Sequence, residues 1–355
     1  MQIGLDSRSA RICSKFVTSG KGFLHSTLMC LTLSVVGTLD RLRDELQWSR
    51  FNALAGSTRR NILTQLKSYL LFCLYFGLIP FPVEEDTSFL YIQFLARSFK
   101  SVSSIKNYLY GLQTYCTLNG IRFPDTSSPL YRYQFKGIAR QLAHAPVRAA
   151  PLSPSILLAI HKLIDFKDPL HVSMWAVLVV GFFLFARIGN LLPKSKNYDV
   201  SKQLNRSDVR VARDCVIFIL KYTKTIQYGE RVLQVPLYHS PGNPLCPKAC
   251  MLKMVKMSPV GPLDHLFSYR TVSGIFVITQ PQFVKFLRSM LQKCGYNHKK
   301  FSGHSLRRGG ATWAFTKGVP TEMLKEHGDW KSDAYLLYLE FSLSKKLETT
   351  KLMLS

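Results

Sequence analysis

Acidic residues are scarce in this chain of 355 residues: 21 Asp and Glu stand against 47 Lys and Arg, which leaves a formal net charge of +26. A globular protein this basic is expected to bind a polyanion, because neutralising phosphate groups releases their condensed counterions. An anionic membrane surface and unspecific stickiness are the alternatives to nucleic acid. The basic residues are distributed among apolar and aromatic segments instead of forming a detached tail, and this distribution favours nucleic acid.

The apolar runs are too short to suggest a membrane protein. Residues 172–186 form a largely apolar stretch of 15 residues between His171 and Arg187, whereas a membrane-spanning helix needs about 20. We therefore predict a buried core helix there and no membrane partner. Residues 23–39 are loosely similar to a signal peptide, but His25 interrupts them and no small-residue cleavage site follows.

The eight cysteines lack the spacing of a disulfide framework or a zinc site. Most of them fall inside apolar runs, which predicts reduced core thiols in a cytosolic or nuclear protein. Cys246 and Cys250, with His239 or His265 nearby, are the zinc alternative. No second cysteine pair accompanies them, and their segment is typical of a helix start, so we predict no metal.

A linker signal divides the sequence, which contains no internal repeat and no low-complexity tract. Residues 145–154 (APVRAAPLSP) combine three prolines with small residues, as linkers do. We predict a variable extension over 1–49 that is a candidate for disorder, a helical domain over 50–145, a linker over 146–153, a second domain over 154–348 and a tail over 349–355.

The first domain shows only helix signals. One helix is predicted from a capping Ser57 to Phe76, ended by Gly77. The other helices are expected to begin at Asp86 or Thr87, at Ser103 or Ser104, and at Ser127. Basic residues near these helix starts are candidate phosphate contacts, although ordinary solubility also explains them. They are Arg59, Arg60, Lys100 and Lys106.

The second domain is predicted to be mostly helical with one small antiparallel sheet. Ser153-Pro154 is a good helix start, and the buried helix that follows is expected to end at Arg187. β-rich runs at 209–211, 215–222 and 231–237, with Gly229 in the connecting turn, predict a hairpin. Further helices are predicted at 247–257, 280–294, 305–317, 321–326 and from 332 onward.

Six basic and aromatic residues of the second domain are best explained together, as parts of one site. Arg187 directly follows the apolar stretch, where a guanidinium is costly unless an anion or a carboxylate meets it. His304 and Arg307 are three residues apart and share one helix face. Small Gly309 and Gly310 follow and permit a close backbone approach. The full order is Arg187, Lys224, His304, Arg307, Trp330 and Tyr338.

These segments resemble the catalytic motifs of tyrosine recombinases. The similarity lies in residues 302–312 (SGHSLRRGGAT), 328–338 (GDWKSDAYLLY), 222–225 (YTKT) and 185–188 (FARI). It is strongest to the tryptophan-containing Cre-type enzymes and to the recombinases of eukaryotic DIRS-like and Crypton mobile elements. Residues 50–145 resemble the family's helical, SAM-like core-binding domain. The resemblance covers about residues 50–348, and its C-terminal motifs are far more specific than the N-terminal match.

The resemblance implies a site-specific recombinase or integrase, encoded by a mobile element, that cleaves and rejoins double-stranded DNA through a 3′-phosphotyrosine at Tyr338. It also implies that no metal ion, ATP or other cofactor takes part. The expected assembly is a homotetramer on two DNA duplexes. The expected location is the nucleus if the host is eukaryotic, and otherwise the cytoplasm. A C-terminal helix over 340–355 could dock on its own subunit or on a neighbour, and the sequence leaves both open.

Chemical roles for the other residues follow from what a phosphodiester needs. Planar guanidinium groups neutralise phosphate bidentately, so Arg187 and Arg307 would clamp the scissile phosphate. Trp330 would donate its indole N–H to it. His304 would accept the proton of the attacking phenol, and Lys224 would protonate the leaving 5′ oxygen. Next to the clamp, Arg308 is a further candidate DNA contact.

Departures from the family pattern keep alternatives open. The interval from Trp330 to Tyr338 is eight residues where nine is usual, and Tyr335 lies eight residues after His327. Tyr335 is therefore a rival nucleophile, although we prefer Tyr338. Asn190 replaces an acidic residue common in the family. A type IB topoisomerase, a domesticated DNA-binding protein that no longer cuts, and a basic structural protein are the competing functions. The presence of every expected site residue favours an active enzyme.

Overall fold

The structure, a computed structural model, describes residues 39–339, 347, 350, 351, 353 and 354. Most of the predicted C-terminal helix over 340–355 and most of the predicted extension over 1–49 lie outside the described residues. By contacts, the chain divides into two compact units, Met1–Pro146 and Val147–Ser355. Each unit is described by itself.

The described part of the first unit consists of helices. Its core buries aromatic and aliphatic side chains from each of the last four helices, among them Tyr69, Tyr91, Leu109 and Tyr131. Large aromatic rings such as these bury much apolar area per residue, which helps a small helical unit to form a core. The helices are α1 (Leu39–Asn52), α2 (Gly56–Phe76), α3 (Glu85–Ala96), α4 (Val102–Leu118) and α5 (Pro129–Leu142).

The predicted helix starts in this unit were wrong by one to three residues. α2 begins at Gly56 after Ala55, so Ser57 lies in the first turn and caps nothing. α4 is capped by Ser101, whose hydroxyl accepts from the Ser104 N–H. Serines cluster at these starts, and only the backbone decides which one caps. The predicted boundary at residue 49 was also wrong, since α1 crosses it; none of its residues is buried, so no core pattern marked it.

The second unit alternates helices with short strands. Its helices and strands are α6 (Pro154–His161), α7 (Pro169–Phe183), α8 (Ile188–Leu191), β1 (Val209–Val211), β2 (Cys215–Leu220), β3 (Leu233–Tyr238), α9 (Pro247–Met257), β4 (Ser268–Thr271), β5 (Gly274–Val277), α10 (Gln280–Lys293), α11 (His304–Thr316) and α12 (Thr321–His327). Three-residue 3₁₀ segments lie at Val200–Lys202, Arg206–Asp208 and His298–Lys300, and the described fold closes with a 3₁₀ helix, Asp333–Tyr338. The predicted fold class, mainly helical with a small antiparallel sheet, is confirmed.

The predicted buried helix forms the centre of this unit as α7. Every residue from Val172 to Phe182 is buried, which explains why its apolar residues show no helical stripe. The helix ends at Phe183, one turn before the predicted end at Arg187. The chain turns at Phe185, whose φ of 46° is left-handed. Neither glycine nor proline marks this turn, so the sequence carried no stop signal there.

The strands form two antiparallel sheets. The predicted hairpin is present as the larger sheet, in the order β1-β2-β3, with Phe218 at the centre between Val209 and Val235. A second hairpin, β4-β5, was not predicted. Its strands have four residues each, too few for an alternating pattern to stand out from a loop. Gly274, with a φ of 132°, allows the tight reversal between them.

The predicted linker over 146–153 is in large part fixed to the second unit. The Ala150 N–H donates to the Lys300 carbonyl at 2.7 Å, and the Leu152 N–H donates to the Ser305 carbonyl at 3.1 Å. The Leu152 side chain is buried in the core. The proline and alanine content of residues 146–153 is typical of a linker. Backbone hydrogen bonds nevertheless attach this segment to the second unit.

Two observations bear on the membrane and zinc alternatives. Among the described residues, none of the helices combines the length and the apolar character that crossing a bilayer requires. In that same part of the chain, no three His, Cys, Asp or Glu side chains gather closely enough to ligate a metal. Cys246 instead caps α9, where its sulfur accepts from the Ala249 N–H.

The close approach of α11 to its neighbours gives a first prediction. A Cβ added at Gly310 would lie 2.0 Å from the Phe182 carbonyl oxygen. This oxygen belongs to a packed helix and cannot yield, so Gly310→Ala should destabilise the unit by about 1–3 kcal/mol or more. Gly137, inside α5, has open space around it, and Gly137→Ala should stabilise its helix by roughly 0.5–1 kcal/mol. Equal denaturation midpoints for Gly310→Ala and the wild type would contradict the tight helix contact.

Candidate active site

Arg307 lies at the centre of the candidate site. It is the fourth residue of α11, which begins at His304, and only 2% of it is exposed. Its Nη1 donates to the Phe185 carbonyl at 2.5 Å, and its Nη2 donates to the Gly328 carbonyl at 2.7 Å. Two separate elements therefore hold the guanidinium in one orientation.

Unusual backbone conformations accompany both carbonyls. Phe185 is itself left-handed, and Gly328 precedes Asp329, whose φ is 54°. Non-glycine residues rarely adopt this region, and they cluster at functional sites. Here the two turns bring carbonyl oxygens to a guanidinium that would otherwise be buried without partners.

Trp330 and Tyr338 pack beside this guanidinium. The Arg307 Cζ lies 3.8 Å from the centre of the Trp330 ring and 5.5 Å from the centre of the Tyr338 ring. The two aromatic rings are 5.7 Å apart. The phenol is thus in contact with the central cation.

The predicted cations of the site act electrostatically on His304. Partial burial lowers the pKa of His304, and the positive charges of Arg187, Arg307 and Lys224 lower it further. Charges influence a titrating group in this way only at short range. His304 therefore lies within electrostatic range of three cations, and two of these, Arg187 and Lys224, lie far from it in sequence.

Burial and the charge of Arg187 lower the pKa of Arg307 to about 9, while the neighbouring Tyr338 raises it. Arg307 stays protonated at neutral pH. Two guanidinium groups this close repel each other, and the described residues near them include no carboxylate that pairs with Arg307. An anion between the two arginines would relieve this repulsion.

Unpaired N–H donors point to the same conclusion. Arg187 Nη1, Arg307 Nε and Trp330 Nε1 are buried and have no hydrogen-bond partner within the described chain. Each unmet donor costs about 1–3 kcal/mol. Two of these donors belong to side chains in direct contact, Arg307 and Trp330, and Arg187 acts electrostatically on Arg307. Buried donors of this kind suit a ligand with several oxygen acceptors, such as a phosphate diester.

Tyr335, the rival nucleophile, has different surroundings. It is 8% exposed and belongs to an apolar cluster with Phe185, Leu324 and Leu339. Its ring lies 6.1 Å from that of Trp330. The helix predicted from residue 332 is in fact 3₁₀, in which residues three apart lie above one another. Tyr335 packs against the indole inside this cluster, and the partly buried Tyr338 packs against the same cluster.

Asp329 is a buried residue to which we assigned no role from sequence. Its carboxylate accepts from the hydroxyls of Thr223 and Thr225 and pairs with Arg231. Those threonines flank Lys224. The available signal was its place in the motif, between Gly328 and Trp330.

Arg308, the candidate DNA contact next to the clamp, is buried in this structure. Arg308 is 6% exposed, and its Nη1 donates to the Ala149 carbonyl at 2.5 Å. Arg308 follows Arg307 on α11 and so points away from it, toward the segment before α6. Arg307 and Arg308 thus have different surroundings, which the sequence alone does not reveal.

The predicted DNA contacts of the first unit fall into two groups. Arg60 and Lys100 are exposed. Arg59 is half-buried, with its guanidinium 4.3 Å from the centre of the Phe51 ring and hydrogen-bonded to Asn52. Arg59 thus has partners within its own unit.

Lys106 belongs to a basic hollow that the sequence did not reveal. Its Nζ lies 4.9 Å from the centre of the Phe135 ring. Arg132 and Lys136 of α5 line the same hollow. These two cations are one helical turn apart and therefore lie on the same face of α5. They line a common hollow with Lys106 only because α4 packs beside α5.

Comparisons with known proteins identify the architecture. No protein-family model and no curated protein sequence matches the chain. The structure of XerH site-specific recombinase bound to palindromic difH substrate aligns with a TM-score of 0.54 at 14% identity, over 77% of this chain and 71% of that one. The Tn1549 transposon integrase in complex with transposon right end DNA aligns with a TM-score of 0.54 at 13% identity, over 88% and 99%.

A lambda integrase dimer bound to a COC′ core site aligns with a TM-score of 0.50 at 13% identity, over 84% of this chain and 94% of that one. The chain has the tyrosine recombinase fold. Identities this low show the fold alone. In this tyrosine recombinase fold, the residues that carry the sequence resemblance surround Arg307, as described above.

Proposed function

We propose that this protein is a site-specific DNA recombinase that cleaves and rejoins double-stranded DNA through a phosphotyrosine at Tyr338. One observation carries the proposal: Arg187, Arg307 and Trp330 each keep a buried N–H donor without a partner, and the Arg307 guanidinium lies against the rings of Trp330 and Tyr338. A phosphate diester supplies the oxygen acceptors that these donors lack. A nucleophile beside a bound phosphate is what phosphoryl transfer requires.

The arginines act on the phosphate charge. Arg187 and Arg307 donate to the nonbridging oxygens, and the indole N–H of Trp330 adds a third donor. The Phe185 and Gly328 carbonyls already orient Arg307, so little reorganisation accompanies the reaction. Preorganised donors of this kind stabilise the charge that develops on the phosphoryl oxygens.

Tyr338 attacks the phosphorus atom in line with the departing 5′ oxygen. The new bond joins the phenol oxygen to phosphorus, and the bond between phosphorus and the 5′ oxygen breaks. His304, whose pKa is lowered, is neutral at pH 7 and can accept the phenol proton. Arg307 also favours the phenolate, because its positive charge lies beside the Tyr338 ring.

Lys224 supplies the proton that the 5′ oxygen needs to leave as a hydroxyl. It is exposed on the segment between β2 and β3. The products are a 3′-phosphotyrosine and a free 5′ hydroxyl. Because one phosphate ester replaces another, the reverse reaction with the same or a different 5′ end needs no energy source. Three protein cations, Arg187, Arg307 and Lys224, already balance the phosphate charge, so we propose that no metal ion takes part.

Double-stranded DNA is the proposed substrate. The XerH and Tn1549 structures named above contain DNA substrates or ends, and the lambda integrase structure contains a core site. In this chain, Arg60 and Lys100 are exposed, and Lys106 lies in the basic hollow with Arg132 and Lys136. We propose that these residues contact the DNA backbone, in a homotetramer on two duplexes. We further propose that a mobile element encodes the protein and that it acts in the nucleus of a eukaryotic host.

The test is a covalent adduct on DNA selected by the protein itself. Binding sites are first enriched from a pool of random duplexes, and the winning sequence is then synthesised as a duplex with a nick beside the cleavage position. Cleavage releases a short strand and traps the protein on DNA, where a denaturing gel detects it. We expect an adduct on the selected duplex, none on a scrambled one, and the same yield in excess chelator.

Other outcomes would support the competing functions. An adduct on any sequence, with relaxation of supercoiled plasmid, would indicate a topoisomerase. Tight and selective binding without an adduct would indicate a DNA-binding protein that does not cut. A chelator that stops cleavage would contradict the metal-free mechanism.

The His304 assignment predicts a pH dependence. A lowered pKa favours the neutral imidazole, so the acceptor is available at pH 7 and is lost when it protonates at lower pH. The second-order rate constant for adduct formation should therefore decline only below pH of about 6.5, the ordinary histidine value. His304→Gln should remove this acidic decline and slow cleavage by about 10²-fold. A decline centred above that value, or one that persists in His304→Gln, would assign the proton acceptor elsewhere.

A further inference from the structure

The turn that carries Lys224 is tied to one buried carboxylate. Asp329 Oδ2 accepts from the Thr223 hydroxyl at 3.1 Å and from the Thr225 hydroxyl. Its Oδ1 pairs with Arg231, near the start of β3. Asp329 is 8% exposed and Thr223 is 1% exposed. The two anchoring threonines lie immediately before and after Lys224.

Thr223 organises the turn as well as joining it to Asp329. Its hydroxyl oxygen accepts from the N–H groups of Thr225 and Ile226, both at 3.1 Å. Its own N–H donates to the Ile226 carbonyl at 2.9 Å, and Ile226 is fully buried. Lys224 itself is exposed between these fixed residues. The backbone under the lysine is thereby restrained, although β2 and β3 are separated by residues 221–232, a loop long enough to be mobile without such contacts.

On its other side, Asp329 adjoins the phosphate clamp. It follows Gly328, whose carbonyl holds Arg307 Nη2 at 2.7 Å. It precedes Trp330, whose ring lies under the same guanidinium. One residue therefore connects the arginine that would hold the phosphate to the turn that would deliver the proton.

We propose that Asp329 is a positioning residue that places the Lys224 ammonium against the leaving 5′ oxygen. The inference rests on the proposed function, because it assumes that Lys224 is the proton donor. Asp329 touches neither DNA nor the reacting atoms. It acts by holding Thr223 and Thr225, and it shortens the search of a long, flexible lysine side chain for a productive position.

The conformation and charge of Asp329 fit this role. Its φ of 54° is strained for a residue with a side chain, and glycine would adopt it freely. Burial acts to raise the pKa of Asp329, but the hydrogen bonds from Thr225, Arg231 and Thr223 lower it overall. The carboxylate is therefore ionised throughout the neutral range. A purely structural turn at this place would be served better by glycine.

The experiment separates proton donation from every other contribution. Two nicked duplexes of the selected sequence differ in one atom: the bridging 5′ position carries oxygen in one and sulfur in the other. A thiolate leaves without being protonated, because the pKa of a thiol is about 8.5. A defect in proton donation therefore slows cleavage of the oxygen duplex and spares the sulfur duplex.

We expect Asp329→Ala to slow adduct formation on the oxygen duplex by about 10²-fold, at the low end of general acid catalysis, and to leave the sulfur duplex close to the wild-type rate. Lys224→Ala should show the same selective defect. The double variant should be no slower than Lys224→Ala, because both changes remove one function. Asp329→Asn tolerates the left-handed backbone and keeps an acceptor for the threonines, so it should recover part of the rate.

Matched controls address folding. Asp333, four residues further on, is exposed and pairs with the half-buried Lys325, and Asp333→Ala should leave both duplexes unaffected. If Asp329→Ala does not fold, Thr225→Val removes one anchoring hydroxyl with little change of shape and should give the same selective defect, in smaller measure.

Distinct outcomes overturn the two proposals. Equal slowing on both duplexes, or no slowing on either, would overturn the positioning role while leaving the recombinase assignment intact. No adduct from the wild-type protein on either duplex would overturn the proposed function and, with it, this inference.

Discussion

Replacing Tyr338 with phenylalanine should abolish the covalent protein–DNA adduct and leave binding of the selected duplex unchanged. The phenol oxygen is the only atom that the substitution removes, and it is the atom that would bond to phosphorus. The phenylalanine ring can keep its place beside Arg307 and Trp330, where the tyrosine ring centre lies 5.5 Å from the arginine Cζ. The adduct is measured on a denaturing gel, and binding is measured by gel shift.

Tyr335→Phe is the matched control for this prediction. Tyr335 is buried against Trp330 in the apolar cluster, so its variant should retain the adduct. Peptide mapping of the wild-type adduct should find the DNA on Tyr338. Loss of the adduct in Tyr335→Phe, with retention in Tyr338→Phe, would reverse the assignment of the nucleophile.

Arg307→Lys should slow cleavage by about 10²–10³-fold, as expected for loss of a preorganised donor at a developing charge. Lysine keeps the positive charge but has no planar fork. It cannot donate to the Phe185 and Gly328 carbonyls and to a phosphate oxygen in the same geometry. It also loses the stacking of the guanidinium over Trp330, whose ring centre lies 3.8 Å from the Arg307 Cζ in the wild type. Single-turnover rates on the nicked duplex measure the effect.

The same substitution should also destabilise the second unit. At least one of the two carbonyls would lose its partner, at a cost of about 1–3 kcal/mol. Arg288→Lys is the matched control: this exposed arginine also donates to a backbone carbonyl, that of Phe301 at 3.1 Å, but lies on α10. It should cleave at the wild-type rate. Wild-type cleavage by Arg307→Lys would contradict the clamp.

The local signals of the sequence predicted most of the helices. α9 was predicted with its observed bounds, because Pro247 and the apolar run after it mark start and length. The β2-β3 hairpin was found because β-rich runs flank Gly229. These features depend on neighbours along the chain, where propensity and periodicity carry the information.

Other features depend on groups that lie far away in sequence. The end of α7 at Phe183 is one example: the left-handed Phe185 turns its carbonyl toward Arg307, a residue more than a hundred positions later. The orientation of Arg308 is another example, because its Nη1 donates to the carbonyl of Ala149, a residue far away in sequence. No window of sequence contains both partners of such contacts.

The sequence by itself determined the composition of the candidate site: a set of basic and aromatic residues in a recognisable order, and a net charge suited to DNA. Only the tertiary structure decided their division of labour. It put the Tyr338 ring beside Arg307, it buried Tyr335 in the apolar cluster against which Tyr338 also packs, and it joined Asp329 to the turn bearing Lys224. Motif spacing records positions along one dimension, whereas hydrogen bonds, burial and repulsion between charges depend on distances that exist only after the chain has folded.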